Sequence, residues 1–319
     1  MGKADTVQRR LERFLNNERI GWQRCCQAWA GWVLRGYQGE HVILLVDETK
    51  LGNHLSAMVV GIAYRRCCIP LAFWCYKADA WPMSQVALIL ELLRWVAPSI
   101  PVGSIPLVQA DRGLGTSPDL LRGIRDLGWY FEVRVQKNTR LKTAEGDEGP
   151  LGALVREAGY TWSGHGQVFK KAGWLDCQVL VIWGKQYRES WCLVTNCPWV
   201  TGWDYGIRYW QEASFRDLKS DGWQWQCSRI WSPDHANRLL LVLALAYAWV
   251  LSLGSLVLDD PTLAPLVSKG RQTTYSVFRQ GLRFWSYLRG EVYTLVTSIT
   301  PQYLRFVEFP PLSLKTVGE

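Results

Sequence analysis

The sequence predicts an α/β fold, a mixed sheet flanked by helices and interrupted by a β-rich insertion. Three observations predict it. Two continuous apolar runs, HVILLVD and IPLVQAD, each end in an acid, at Asp47 and Asp111. Segments with helical periodicity lie between and after these runs. Residues 137–190 open with a polar loop, KNTRLKTAEGDEG, and continue as short alternating segments broken by glycines.

The elements follow in order. Residues 1–40 form a short, helical, basic segment, with Val7, Leu11, Phe14 and Leu15 at helical spacing and Arg9, Arg10 and Arg13 elsewhere on its surface. Such a segment fits a DNA contact or a solvated amphipathic helix. A core begins at His41 and runs to residue 136. HVILLVD reads as a central strand buried on both faces, and Ser56–Tyr64 and Cys67–Tyr76 as two more strands. Asp79, Trp81 and Pro82 precede a helical pattern through Leu88, Leu92 and Trp95, closed by Pro98. IPLVQAD is the next strand. Arg112 and Gly113 turn the chain, Ser117 and Pro118 start a helix, and Trp129–Gln136 is a strand. The insertion, 137–190, belongs to the same domain. The core resumes over 191–258, with a strand at Trp191–Thr195 and helical character from Asp204. Residues 259–319 are mixed and aromatic, and their pattern assigns no structure.

Composition narrows the class. The 319 residues are 48% hydrophobic and 20% charged, enough for one large domain or two modest ones with a buried core. Thirty-six Lys and Arg against 28 Asp and Glu give a net charge of +8, which favours a polyanion such as nucleic acid or an anionic membrane surface. Nine cysteines include the adjacent pairs Cys25-Cys26 and Cys67-Cys68, and no CxxC or His spacing suggests zinc. The N-terminal MGKADTVQRRLERFLNN has no apolar signal core. The expectation is a reduced, cytoplasmic protein. Residues 239–258, LLLVLALAYAWVLSLGSLVL, are long and apolar enough to span a membrane; the competing reading is a helix buried on all sides.

The acids point to chemistry. Open α/β sheets place ligands at strand ends. An acid at the end of an apolar run is poorly solvated and needs a partner. A hard cation such as Mg²⁺, which takes carboxylate oxygens, is one answer; a turn or cap is the other. A third acid lies in DYGIRYWQEASFRDLK, residues 204–219. Wound as one α-helix, this segment brings Tyr205, Arg208, Glu212, Arg216 and Lys219 within about 80° of arc, with Ile207, Trp210 and Leu218 opposite. One face packs on a core and the other sets one acid among cations. Spacing alone leaves ordinary ion pairs open, such as Glu212 with Arg208 or Arg216. Cations for phosphates and an acid for a metal ion is the reading that explains the mixture.

Tyr205-x2-Arg208-x3-Glu212-x6-Lys219 resembles the Tyr-Arg-Glu-Lys signature of a large group of bacterial insertion-sequence DDE transposases. VDET, with Asp47, resembles the first catalytic segment of that group, and ADRG, with Asp111, the second. The resemblance covers roughly residues 40–250 and departs from the group in two places. DRGL lacks the common aromatic after the glycine, and 46 residues precede Asp47 where relatives carry a longer DNA-binding region.

The resemblance implies an RNase H-like (retroviral integrase superfamily) core with the β-insertion between the second Asp and the Glu. It implies an apolar helix packed in the core after the signature, and so no membrane. It implies cut-and-paste transposition, with two Mg²⁺ ions (Mn²⁺ substituting) held by Asp47, Asp111 and Glu212. Tyr205, Arg208 and Lys219 would grip phosphates, with Arg216 joining them on geometry. Trp191 would stack on a flipped base; with 19 Trp in the chain, a core position is its other reading. The implied partners are double-stranded DNA, as terminal inverted repeats and target, and a second copy of the chain, in a bacterial nucleoid-associated setting. The alternative is a truncated or non-catalytic DNA-binding relic.

Overall fold

A computed structural model describes residues 4–115, 117–267 and 275–290. Its centre is strand β1 (His41–Leu51), in which Val42 through Val46 are at most 1% exposed. Such a run is stable only with both faces covered. β1 pairs antiparallel with β2 (Leu55–Tyr64), and β2 with β3 (Cys67–Lys77). On its other edge β1 pairs in parallel with β4 (Ile105–Ala110), which pairs in parallel with β5 (Tyr130–Arg134). Two meander strands beside the first and two parallel strands beyond it, in the order β3-β2-β1-β4-β5, make the RNase H-like arrangement.

The helices occupy the expected crossovers. α1 (Ala4–Leu15) and α2 (Trp22–Leu34) precede the sheet. α3 (Gln85–Val96) joins β3 to β4, its start capped by Ser84, whose hydroxyl accepts from the Ala87 amide. α4 (Pro118–Asp126) joins β4 to β5. In α1 the apolar stripe is not all inward: Val7 is 58% and Leu11 39% exposed, and Leu15 is the buried end.

The strands of the 137–190 segment are β6 (Arg140–Thr143), β7 (Glu148–Pro150), β8 (Thr161–Val168) and β9 (Leu175–Ile182). They extend the same sheet through β10 (Trp191–Thr195), which lies antiparallel to both β5 and β9. Among the described residues the sheet has ten strands, ordered β3-β2-β1-β4-β5-β10-β9-β8-β6-β7.

The apolar run forms α6 (Pro233–Asp259), and 61% of its most apolar 18-residue window is buried. By length and composition alone this helix also qualifies as a membrane span. It docks on the edge strand β3, where Asn237 accepts from the Cys75 amide at 2.8 Å and donates to its carbonyl at 3.4 Å. The side-chain amide thereby closes part of an open sheet edge. α8 (Val277–Gly290) crosses α6 closely: a Cβ on Gly254 would sit 2.0 Å from the Val277 carbonyl oxygen, and one on Gly281 1.9 Å from that of Val250. Of 259–319, residues 259–267, with a 3-10 turn at Pro261–Leu263 and α7 (Ala264–Val267), and residues 275–290, with α8, are described; the rest of that region lies outside the described residues.

Side-chain alternation sorts the sheet into two faces. Val42, Leu44 and Val46 of β1 belong to the large core shared with α2, α3, α4 and α6. Ile43 and Leu45 face the other way, against Ile207 and Trp210. Leu107 of β4 and Leu193 of β10 share that second face with Tyr205. Asp47, Gln109, Glu132 and Trp191 have the same parity, so the sheet directs all four toward the segment around residue 207.

Two expectations are corrected. β1 does not stop at Asp47; it continues to Leu51, because the hairpin pairs Asp47 with Val59 and runs to Leu51 with Leu55. What stops there is the parallel partner, since the last β1–β4 pair is Val46 with Ala110. Nor is 204–219 one α-helix. Trp203–Arg208 is a 3-10 helix, and α5 (Tyr209–Leu218) follows it.

Candidate active site

Asp47 sits where β1 loses its neighbour β4, so its carboxylate enters the gap beyond the shorter strand. Its Oδ1 accepts from the Glu48 amide at 2.9 Å, and its Oδ2 from Arg208 Nη1 at 3.0 Å. Burial pushes this acid up to about 6; Arg208 pulls it back, and the negative charge of Asp111 adds to the rise. The Asp111 charge therefore acts within the neighbourhood of Asp47.

Asp111 follows β4 directly. Its Oδ1 accepts from the Leu114 amide at 3.0 Å, and its carbonyl oxygen accepts from the Gly115 amide at 2.8 Å. This tight turn is possible because Gly115 has no side chain: a Cβ there would lie 2.1 Å from the carbonyl oxygen of Arg134. The turn therefore holds the Asp111 carboxylate through the Leu114 amide while its glycine packs against the end of β5.

Glu212 lies in the first turn of α5, and its Oε1 accepts from Arg208 Nη2. The Arg208 guanidinium thus bridges Asp47 and Glu212. The arginine and Asp47 side chains are 13% and 15% exposed, and that of Glu212 is 43% exposed. A fork of donors suits two carboxylates well. Removing one partner from such a half-buried set costs about 3–5 kcal/mol where burial is complete and less at the exposed Glu212 end.

The other expected residues divide. Lys219 is the C-cap of α5, with Nζ donating to the Lys50 carbonyl at 3.4 Å; burial lowers its pKa and the Asp47 charge opposes that. Arg216 is exposed, 5.8 Å from the Tyr209 ring centre, and donates to the Tyr209 hydroxyl. Trp191 is half-buried, stacked on Tyr187 at 4.6 Å and edge-on to Tyr205 at 5.7 Å. Tyr205 departs from expectation. It is 5% exposed, its hydroxyl donates to the Ala110 carbonyl at 3.1 Å, and burial keeps the phenol neutral. The 3-10 winding turns it onto the sheet, so it braces the residue before Asp111 rather than offering a phenol to a phosphate.

Sequence reasoning missed three basic groups near Trp191. Arg112, Arg134 and Lys137 all reach Glu189, Arg112 at 3.4 Å and Lys137 at 3.1 Å. Arg112 lies within ADRG, but no local motif marks Arg134 or Lys137, and the neighbouring ends of β4, β5 and β10 bring the three to Glu189. Gln211 was also missed. It donates to the Val59 carbonyl at 3.0 Å and anchors α5 to β2.

Three carboxylates are hard oxygen donors, the set that Mg²⁺ and Mn²⁺ take. Among the described residues no three His, Cys, Asp or Glu side chains are drawn tightly enough together to hold an ion as they stand. A guanidinium lies between Asp47 and Glu212. In charge and donor type Asp47, Asp111 and Glu212 fit a divalent cation, and the space between two of them already attracts a positive group.

A model of the transposase DDE domain matches residues 83–249, just over half of the chain. This chain belongs to the DDE transposase family. The matched span of the transposase domain contains Asp111 and Glu212 and begins after Asp47. Among solved structures, a crystal structure of human ENDOV matches at 15% identity with a TM-score of 0.27, covering 76% of this chain and 97% of that one. At that score the likeness carries no argument about the transposase. No curated protein sequence matches.

Proposed function

We propose that the chain cuts and rejoins DNA at the ends of a mobile element, by cut-and-paste transposition, with Asp47, Asp111 and Glu212 holding two divalent ions. The single observation that supports this most is the bridging of Asp47 and Glu212 by one half-buried guanidinium that also feels the charge of Asp111. Asp47 of β1 and Glu212 of α5 share this guanidinium, and the charge of Asp111, after β4, acts on both Asp47 and Arg208, although the three acids are far apart in sequence. When bound, Mg²⁺ or Mn²⁺ supplies an activated attacking oxygen and stabilises the leaving one.

The protein's own groups do the rest. Arg208 neutralises the two acids in the absence of metal, and its charge becomes available to a phosphate when an ion takes its place. Arg216 and Lys219 lie on the same side and extend a cationic track for the backbone. Trp191, half-buried and backed by Tyr187, offers one ring face to a displaced base, as expected for a strand distorted near a transposon end. Tyr205 acts as a brace for the Asp111 turn. The partners are double-stranded DNA, as inverted repeats and target, and a second copy of the chain holding the other end.

Incubation with a duplex carrying the element's terminal repeat tests this. The expected outcome is a nick that requires Mg²⁺ or Mn²⁺ and falls at least a hundredfold in Asp47→Asn, Asp111→Asn and Glu212→Gln. Cleavage at the normal rate by all three variants would refute these roles. Salt-sensitive binding without any metal-dependent cut would favour the non-catalytic relic.

A further inference from the structure

Behind the three acids lies a second acidic pair that the proposed chemistry does not use. Glu132 is on β5, beside Gln109 on β4 and Thr195 on β10. Asp204 begins the signature segment and closes over the same sheet face. Glu132 and Gln109 are fully buried and Asp204 is 2% exposed. Gln109 Nε2 donates twice, to Glu132 Oε2 at 2.7 Å and to the Asp204 carbonyl at 3.0 Å. Asp204 Oδ2 accepts from the Thr201 amide at 2.7 Å and the Thr201 hydroxyl at 3.0 Å.

The count of donors falls short. Glu132 Oε1, Gln109 Oε1 and Asp204 Oδ1 are all buried without a partner. Turning the Gln109 amide over does not help, because it would break two good bonds to mend one. Two buried carboxylates cannot both keep their charge here: Glu132 would have a single neutral hydrogen bond, and leaving an ion so poorly served costs several kcal/mol. The groups that act on Glu132 are Asp204 from the signature segment and Gln109 from β4, with Cys197 and Tyr205 at longer range; Arg134, two residues along on the same face of β5, is the nearby base, and its charge is paired with Glu189. One proton on Glu132 would turn one of the three orphaned oxygens into a donor for a second.

We propose that Glu132 carries a proton at neutral pH and shares it within the Gln109–Asp204 cluster, and that this neutral–anionic carboxyl pair clasps the signature segment to the sheet. Glu132 and Asp204 are then positioning residues. The clasp joins Gln109, two residues before Asp111, to Asp204, the residue before Tyr205, whose hydroxyl holds Ala110. It sets the register between the strand that delivers Asp111 and the segment that delivers Arg208 and Glu212. Burial and the Asp204 charge push the Glu132 carboxyl up to about 8, with the Gln109 hydrogen bond opposing. The only element of this inference that rests on the proposed nicking reaction is the effect on activity.

The test is difference infrared spectroscopy and thermal unfolding of the full chain, with Glu132→Gln as the neutral stand-in that keeps one donor. Wild type should show a protonated carboxylic acid band at pH 7 that titrates away near pH 8 and is missing in E132Q. The folded acid lies above its unfolded value of 4.5, so the folded state binds the extra proton between the two. Wild type should therefore lose stability relative to E132Q as pH rises from about 5 to about 8, and run parallel to it above that. E132Q should nick DNA within about threefold of wild type at pH 7 and keep that activity at pH 9, where wild type declines. An E132Q band like that of wild type, or melting curves that stay parallel from pH 5 to 9, would overturn the inference. Absence of nicking in both proteins would count against the proposed function and leave the spectroscopic and melting results to decide the clasp.

Discussion

At the scale of single residues, the site is organised by one cation among acids. Arg208 is a partner for Asp47 and Glu212 and also a competitor for any ion they take. Arg208→Ala should therefore tighten Mn²⁺ binding in the absence of DNA, on the order of tenfold, the effect of about 1.4 kcal/mol. Nicking should fall in the same variant, because the phosphate loses its guanidinium. Titration calorimetry with Mn²⁺ checks this, and unchanged affinity would show that the arginine does not compete with the ion. Asp47 and Asp111 were legible in the sequence because a charge at the end of an apolar run is anomalous. Glu212 was legible because its spacing to Tyr205, Arg208 and Lys219 resembles a known signature. Tyr205 was misread for a local reason. A 3-10 helix turns about 120° per residue against about 100° for an α-helix, so residues placed on one outer arc by α-geometry rotate toward the sheet. Glu132 and Gln109 did leave a signal, a polar residue within each of two apolar strands, but the matching register that makes them a pair exists only once the strands align.

At the scale of elements, the decisive feature is unequal strand length. β1 runs beyond β4, and the step between them is where Asp47 and Asp111 meet. The turn after β4 keeps this step in shape, and Gly115 is its tightest point. Gly115→Ala should cost about 1–3 kcal/mol through the forced backbone shift and reduce nicking as well. Gly149→Ala, where a Cβ meets nothing within 4 Å, should change stability by less than about 0.5 kcal/mol. Chemical denaturation of the two variants gives the comparison; equal losses would mean that the Asp111 turn is not held by this contact. The strand and helix order was readable from periodicity. The continuation of β1 past its acid was not, since VDETKL loses the apolar run that marked the strand and is held by hairpin pairing with β2. The glycine-broken segment read as β-rich, but nothing in it revealed that β6 to β9 would lengthen the central sheet.

At the scale of the whole molecule, a net charge of +8 coexists with a sheet face that gathers carboxylates. The two are reconciled when the cations serve the DNA backbone and the acids serve metal ions. Binding to duplex DNA should weaken linearly with the logarithm of salt concentration, with a slope of about −0.9 for each phosphate neutralised. Arg216→Ala should lower that slope by about one. A slope unchanged by this exposed arginine would remove it from the DNA track. The apolar helix shows how scale alters a reading: by length α6 suits a bilayer, yet Asn237 ties it to β3 and two glycines seat it against α8. The central claim is that Asp47, Asp111 and Glu212 form one divalent-ion site. Anomalous X-ray scattering from crystals of the DNA complex grown with Mn²⁺ tests it most directly. The account predicts manganese within bonding distance of the Asp47 and Asp111 carboxylates, with Glu212 beside it and the Arg208 guanidinium withdrawn to a phosphate. Manganese bound elsewhere, with Arg208 still bridging Asp47 and Glu212, would contradict it.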